Sequence, residues 1–196
     1  MALRLNIIVA STRPGRAGIA IGKWFHSVAE AHGGFDAHLV DLAEYELPVF
    51  DEPGFPSSGK HVHDHTKRWA EVNAAGDAIA MVMPEYNHGP PGGLVNALNY
   101  LYNEWNYRPL SFVSYGGVSG GLRSVSVTKQ LAVALRMVPV VEGVIIPNYF
   151  PLYEEGIFNA QEAHEKSANA ALNELALLAG PLKTVREAKQ AAKTKG

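Results

Sequence analysis

The chain contains no cysteine. That excludes disulfides, thiolate nucleophiles and cysteine-held zinc or iron–sulfur centres, and it fits a reducing compartment. A large excess of charge of one sign is missing as well: 17 Lys and Arg stand against 19 Asp and Glu, for a formal net charge of −2. So small an imbalance builds no field to gather nucleic acid or an anionic membrane. No apolar run approaches the roughly 20 residues that span a bilayer. Arg4 interrupts the first apolar stretch, and Arg13 and Arg16 follow where a small-residue cleavage site would stand, so no export signal is visible. A cytoplasmic protein without nucleic-acid or membrane partners is expected.

What is present is ordinary in amount: 47% hydrophobic and 18% charged among 196 residues, enough for one full core. Residues 3–10 are a short apolar run rich in β-branched side chains, the pattern of a strand buried on both faces. Ile21, Trp24, Phe25 and Val28 then recur at helical spacing until Gly33-Gly34 ends the helix. Further strands are expected over 35–42, 78–83, 110–117 and 138–147, and further helices over 66–75, 91–103, 122–136 and 161–179. The alternation predicts an α/β fold, a doubly wound five-stranded parallel sheet with helices on both faces, in one domain over residues 1–183. The remainder, 184–196, is basic and polar and is expected to fray as a surface tail.

In such sheets ligands gather outside the carboxyl ends of the strands. Three loops with unusual chemistry leave those ends: STRPGRAG (11–18), PEYNHGPPGG (84–93) and SYGGVSGG (114–121). The first combines hydroxyls, arginines and glycines at the start of a helix, a set suited to a terminal phosphate dianion. It is not a Walker A loop, since only three residues separate Gly18 from Gly22 and Trp24 replaces the magnesium-binding hydroxyl. G-x-G-x-x-G is absent too. The second loop clusters Glu85, Tyr86, Asn87 and His88 on a backbone stiffened by Pro90-Pro91, a ledge suited to the edge of a flat heterocycle.

Taken together, STRPGR with its following glycine, PEYNHG before NALNYLYNEW, and SYGG-x-SGG resemble the NADPH-dependent FMN reductase family. The resemblance implies a flavodoxin-like fold, with 1–183 as the FMN-binding domain. It implies an enzyme that passes hydride from NADPH or NADH to FMN and then, by a ping-pong mechanism, to a flavin, quinone, azo or metal-ion acceptor. By the same resemblance Ser11, Thr12, Arg13, Arg16 and Gly18 match the phosphate loop. Pro84, Glu85, Tyr86 and Asn87 match the segment bordering the isoalloxazine, and Ser114, Tyr115, Gly116, Gly117, Ser119 and Gly120 match the loop on its other side. No catalytic side chain is required, because the flavin N5 carries the hydride. The family commonly pairs through helices beside the flavin, so a homodimer or tetramer is expected. Tyr102, Trp105 and Tyr107 offer the aromatic surface for it.

Two rival functions use the same sequence. Gly117-Val118-Ser119-Gly120-Gly121 satisfies the G-x-S-x-G elbow of a serine hydrolase, with Glu142, Glu154 or Glu155 and then His164 to complete a triad. A non-enzymatic flavodoxin-type electron carrier is the other, though such carriers rely on a strongly acidic face, and a net charge of −2 gives little of that. His61, His63 and His65 around Asp64 are read as a solvated loop, not a metal site.

Overall fold

The computed structural model describes residues 2–194. Five parallel positions make the sheet. In chain order the first four strands are β1 (Arg4–Val9), β2 (Asp36–Asp41), β3 (Ala78–Pro84) and β4 (Pro109–Tyr115). The fifth position holds two short pieces, β5 (Val138–Pro139) and β6 (Val144–Ile146), both paired to the open edge of β4. The order is β2-β1-β3-β4-β5, so the chain reverses direction across the sheet between β1 and β3. A single fifth strand was expected from VPVVEGVIIP. It is broken because Gly143 presses against the β4 backbone, where a Cβ would lie 2.7 Å from the Phe112 carbonyl. The Ser111 hydroxyl instead holds the Glu142 carbonyl at 2.8 Å.

Helices α1 (Gly18–His32) and α5 (Glu162–Thr194) cover one face, and α2 (Asp64–Ala75), α3 (Gly92–Asn99) and α4 (Leu122–Ala134) the other. Side chains alternate along β1: Leu5, Ile7 and Val9 pack with Ile21, Phe25 and Leu172, while Ile8 packs with Trp69, Met81 and Leu98. Every residue of β3 and β4 is buried, as a strand covered on both faces requires.

Two sequence expectations fail here. The helix after Pro90-Pro91 ends at Asn99, and the next turns fold Trp105 inward: it is wholly buried, edge-on to Trp69, and donates to the Leu98 carbonyl at 3.1 Å. It is a core residue and offers no surface to a partner. The tail is also misread, since α5 runs on through Pro181 to Thr194, and the last two residues of the expected tail lie outside those described. Arg186 reaches the buried Asp77 at 2.7 Å and the Tyr107 carbonyl at 2.9 Å, and Lys183 joins Asp77 at 3.1 Å. These contacts hold the extension against the amino end of the sheet. Among the described residues no helix is long and apolar enough to cross a membrane. A two-stranded hairpin, β7 (Tyr153–Glu154) with β8 (Ile157–Phe158), precedes α5.

Candidate active site

The loops leaving β1, β3 and β4 meet around one cavity of about 520 Å³. The two arginines of the first loop behave differently there. Arg13 is exposed and, among the described residues, makes no side-chain hydrogen bond or ion pair. Arg16 turns away and pairs with Asp41, the last residue of β2, whose second oxygen accepts from the Ala43 amide at 3.1 Å. Arg16 Nε is left buried without a partner. The residue that caps the helix beyond is Ala17, which supplies no side-chain cap, so the positive end of α1 meets the cavity wall without a side-chain acceptor of its own.

Gly18 has a steric reason: a Cβ there would lie 2.6 Å from the Tyr115 hydroxyl, which accepts from the Gly18 backbone. Burial pushes the Tyr115 phenol well above its ordinary value, so it stays protonated at neutral pH.

The second loop is held at both ends. Tyr86 and Gly89 exchange backbone bonds of 2.9 and 3.0 Å around Asn87 and His88, whose φ angles are 50° and 66°. Two left-handed residues in succession make a type I′ turn, a strained choice for non-glycines that fixes the loop tip. The Tyr86 hydroxyl meets the Ser11 hydroxyl at 2.8 Å, tying the second loop to the first. Glu85 is largely buried and ties it to the third: one carboxylate oxygen accepts from Ser119 Oγ at 2.8 Å and the Arg123 amide at 3.1 Å, the other from Arg123 Nη1 at 2.6 Å. Burial alone would raise this carboxyl; the bonds from Ser119 and Arg123 outweigh it and hold the group below the ordinary range.

The third loop is fastened to the chain leaving β6. The Gly117 and Gly116 carbonyls accept from the Asn148 and Tyr149 amides at 2.9 and 3.3 Å. This brings in three aromatic residues that the sequence reading missed. Tyr149 stands edge-on to Tyr115 at 5.2 Å and stacks on Phe150 at 4.4 Å, and Tyr153 completes the wall. Phe150 remains 70% exposed at the mouth. The signal was available: NYFPLY follows the last strand at its carboxyl end, where ligand loops are expected.

Of the expected residues, Arg13, Arg16, Pro84, Glu85, Tyr86, Tyr115, Gly116 and Gly117 line the cavity. The others do not. Ser11 is fully buried and engaged by Tyr86, and Thr12 lines a smaller cleft on the far side of the loop, against Gly93. Ser114 is buried in the sheet, with its hydroxyl directed at the Val144 carbonyl. Gly120, at φ 59°, takes a backbone shape that brings it against Ile145 and Pro147. Asn87 projects from the turn, Ser119 serves Glu85, and Gly18 accommodates Tyr115.

Residues 3–151 match the NADPH-dependent FMN reductase family. The chain belongs to that family. An NAD(P)H-dependent FMN reductase of Schizosaccharomyces pombe is 37% identical over 148 residues, covering 74% of each chain. A quinone reductase of Escherichia coli K12 is 28% identical over 141 residues, 68% of this chain and 71% of its own. In fold, the chain is similar to the flavoenzyme FerB, an NAD(P)H:(acceptor) oxidoreductase from Paracoccus denitrificans. The TM-score is 0.73 at 18% identity, over 91% of this chain and 98% of that one. A flavodoxin of Streptococcus pneumoniae gives 0.54 at 13% identity, over 89% and 98%. The flavodoxin-like fold class is therefore established.

The hydrolase alternative is overturned by the family and by the geometry. Ser119 donates to a carboxylate, not to an imidazole. His164 lies between Trp24 and Phe158, and its Nδ1 accepts from the Gln161 amide at 3.0 Å. The electron-carrier alternative gives way to membership in a reductase family. The histidines of the 48–65 strap are bound to their own loop and to α3's continuation: His65 to Asp51 at 3.1 Å and His61 to Glu104 at 3.3 Å.

Proposed function

We propose that the protein holds FMN in the 520 Å³ cavity and uses NADPH or NADH to reduce a small acceptor of the quinone, flavin, azo or metal-ion kind. The observation that carries the reading is a cationic end beside a flat-walled end. Arg13, without a side-chain partner among the described residues, stands next to the uncapped start of α1, and Pro84, Tyr86 and the Gly116-Gly117 backbone also line the cavity.

The residues fit the cofactor. Arg13 would hold the phosphate, with Arg16 keeping the loop in shape through Asp41. Tyr86 and the two glycines would border the ring, and the size falls in the usual range for ligand cavities. When bound, FMN supplies the hydride chemistry. The chain's part is to bind, orient and screen: the Ser11–Tyr86 and Glu85–Ser119 bonds fix the three loops against one another, so the walls need not reorganise as reactants change. Tyr149 and Phe150 flank the mouth and exclude water from one side.

One mouth must serve both donor and acceptor, so the two take turns. Steady-state rates with NAD(P)H and a quinone should give parallel double-reciprocal lines, from protein that releases FMN on boiling. Intersecting lines would mean that both reactants bind together, and colourless protein without FMN affinity would remove the cofactor. The family expectation of a homodimer or tetramer is kept as part of this proposal, without Trp105 in its interface.

A further inference from the structure

A second cavity, of about 380 Å³, lies at the amino end of the sheet, away from the loops just described. It is built by the residues entering β4, the end of α4 and the extension of α5. Much of it therefore falls after residue 151, where the family match stops. Its floor is Tyr107, fixed by three bonds from two segments, the chain after α4 and α5. The Tyr107 amide donates to the Arg136 carbonyl at 2.8 Å, its carbonyl accepts from Arg186 at 2.9 Å, and its hydroxyl accepts from Arg136 Nη1 at 3.2 Å. Lys189 Nζ lies 4.6 Å from the centre of its ring. Tyr107 and Arg136 both adopt left-handed backbone, φ 56° and 60°, a strain that turns both side chains to this place.

The charges around the cavity do not balance. Arg136, Arg186 and Lys189 line it, and Arg186 is satisfied by the buried Asp77, with Glu187 adding attraction. Among the described residues neither Arg136 nor Lys189 pairs with a carboxylate. Both are directed at the Tyr107 phenol, whose ionisation they favour in the order Lys189, then Arg136, and Arg136 also bonds to the side chain of Tyr102. Two cations converging on a neutral oxygen repel each other, and a bound dianion would relieve that repulsion. A planar guanidinium beside an ammonium suits tetrahedral phosphoryl oxygens.

We infer that this cavity is a second ligand site, for a phosphoryl dianion held by Arg136 and Lys189 over Tyr107. The cavity is larger than inorganic phosphate needs, so a phosphate monoester with a small polar body fits it as well. The site does not depend on the flavin reading, because it shares no residue with the other cavity.

Calorimetric titration tests it, with inorganic phosphate and ribose 5-phosphate as probes and sodium chloride at matched ionic strength as control. Three proteins are compared: wild type, the double variant Arg136→Gln/Lys189→Gln, and Arg13→Ala. Saturable binding is expected in wild type and in Arg13→Ala, weakened at least roughly tenfold in the double variant. The exposed positions of Arg136 and Lys189 keep that variant folded, which a thermal melt would verify. Tighter binding of the ester identifies a phosphate monoester as the ligand; equal binding identifies free phosphate. Binding abolished by Arg13→Ala but kept by the double variant would place the anion in the upper cavity and overturn the inference. So would the absence of saturation above the chloride control.

Discussion

Arg13 and Arg16 sit three residues apart in one turn and do different work. Arg13 is exposed at the cavity with its donors open, whereas Arg16 is largely buried against Asp41. Removing Arg13 should therefore act on the ligand's anionic end alone. Arg13→Ala is expected to weaken FMN binding by about 1.5–3 kcal/mol, roughly ten- to a hundredfold, and to leave riboflavin affinity unchanged. Arg16→Ala strands a buried carboxylate and should lower stability by about 3 kcal/mol, with flavin and riboflavin affected alike. Denaturant melts with fluorescence titrations of both flavins would check the pair. A stable Arg16→Ala protein that loses FMN but keeps riboflavin would make Arg16 the phosphate ligand. The sequence showed two equivalent arginines in a phosphate-like loop, because residue type is local information. Which of them turns inward depends on Asp41, 25 positions along the chain, and no pattern within the loop carries that.

Between elements, the decisive contact is the Glu85 carboxylate, which bridges the β3 and β4 loops through Ser119 and Arg123. Its ionised form is favoured in the folded protein, so the bridge contributes fully above the ordinary carboxylate value and is lost as pH falls through the lowered one. Glu85→Gln should weaken FMN binding at pH 7. As the pH falls through that lowered value, below the ordinary carboxylate range, wild type should approach the variant, because protonation makes the same change. A Glu85→Gln protein that bound FMN at pH 7 as tightly as wild type would remove Glu85 from the role. The apolar strands and the three loops were legible, since buried parallel strands leave continuous runs and glycine-rich strand ends stand out against them. The aromatic wall at 149–153 and the α5 extension were not. The wall falls after an edge strand broken by its own packing, and the extension reads as a polar tail until Asp77 appears beneath Arg186.

At the scale of the whole molecule, the question is which surface a second copy would cover. Trp105 is excluded, being at 0% exposure in the core beside Trp69. Its truncation to alanine removes a large buried ring and should cost about 3–5 kcal/mol of stability without altering the mass of the molecules that remain folded. Among the apolar residues that stay open, three share the strap before α2, where Val49, Phe55 and Val62 are 88%, 84% and 56% exposed. A monomer gains nothing from keeping these in water, whereas a dimer burying them recovers roughly 25 cal/mol for each square ångström covered. Light scattering at micromolar concentration should therefore give about twice the 21.2 kDa of one chain, and Phe55→Asp should shift it toward one. A wild-type mass that stays at one chain would end the dimer proposal. A Phe55→Asp protein still at twice that mass would move the interface off the strap.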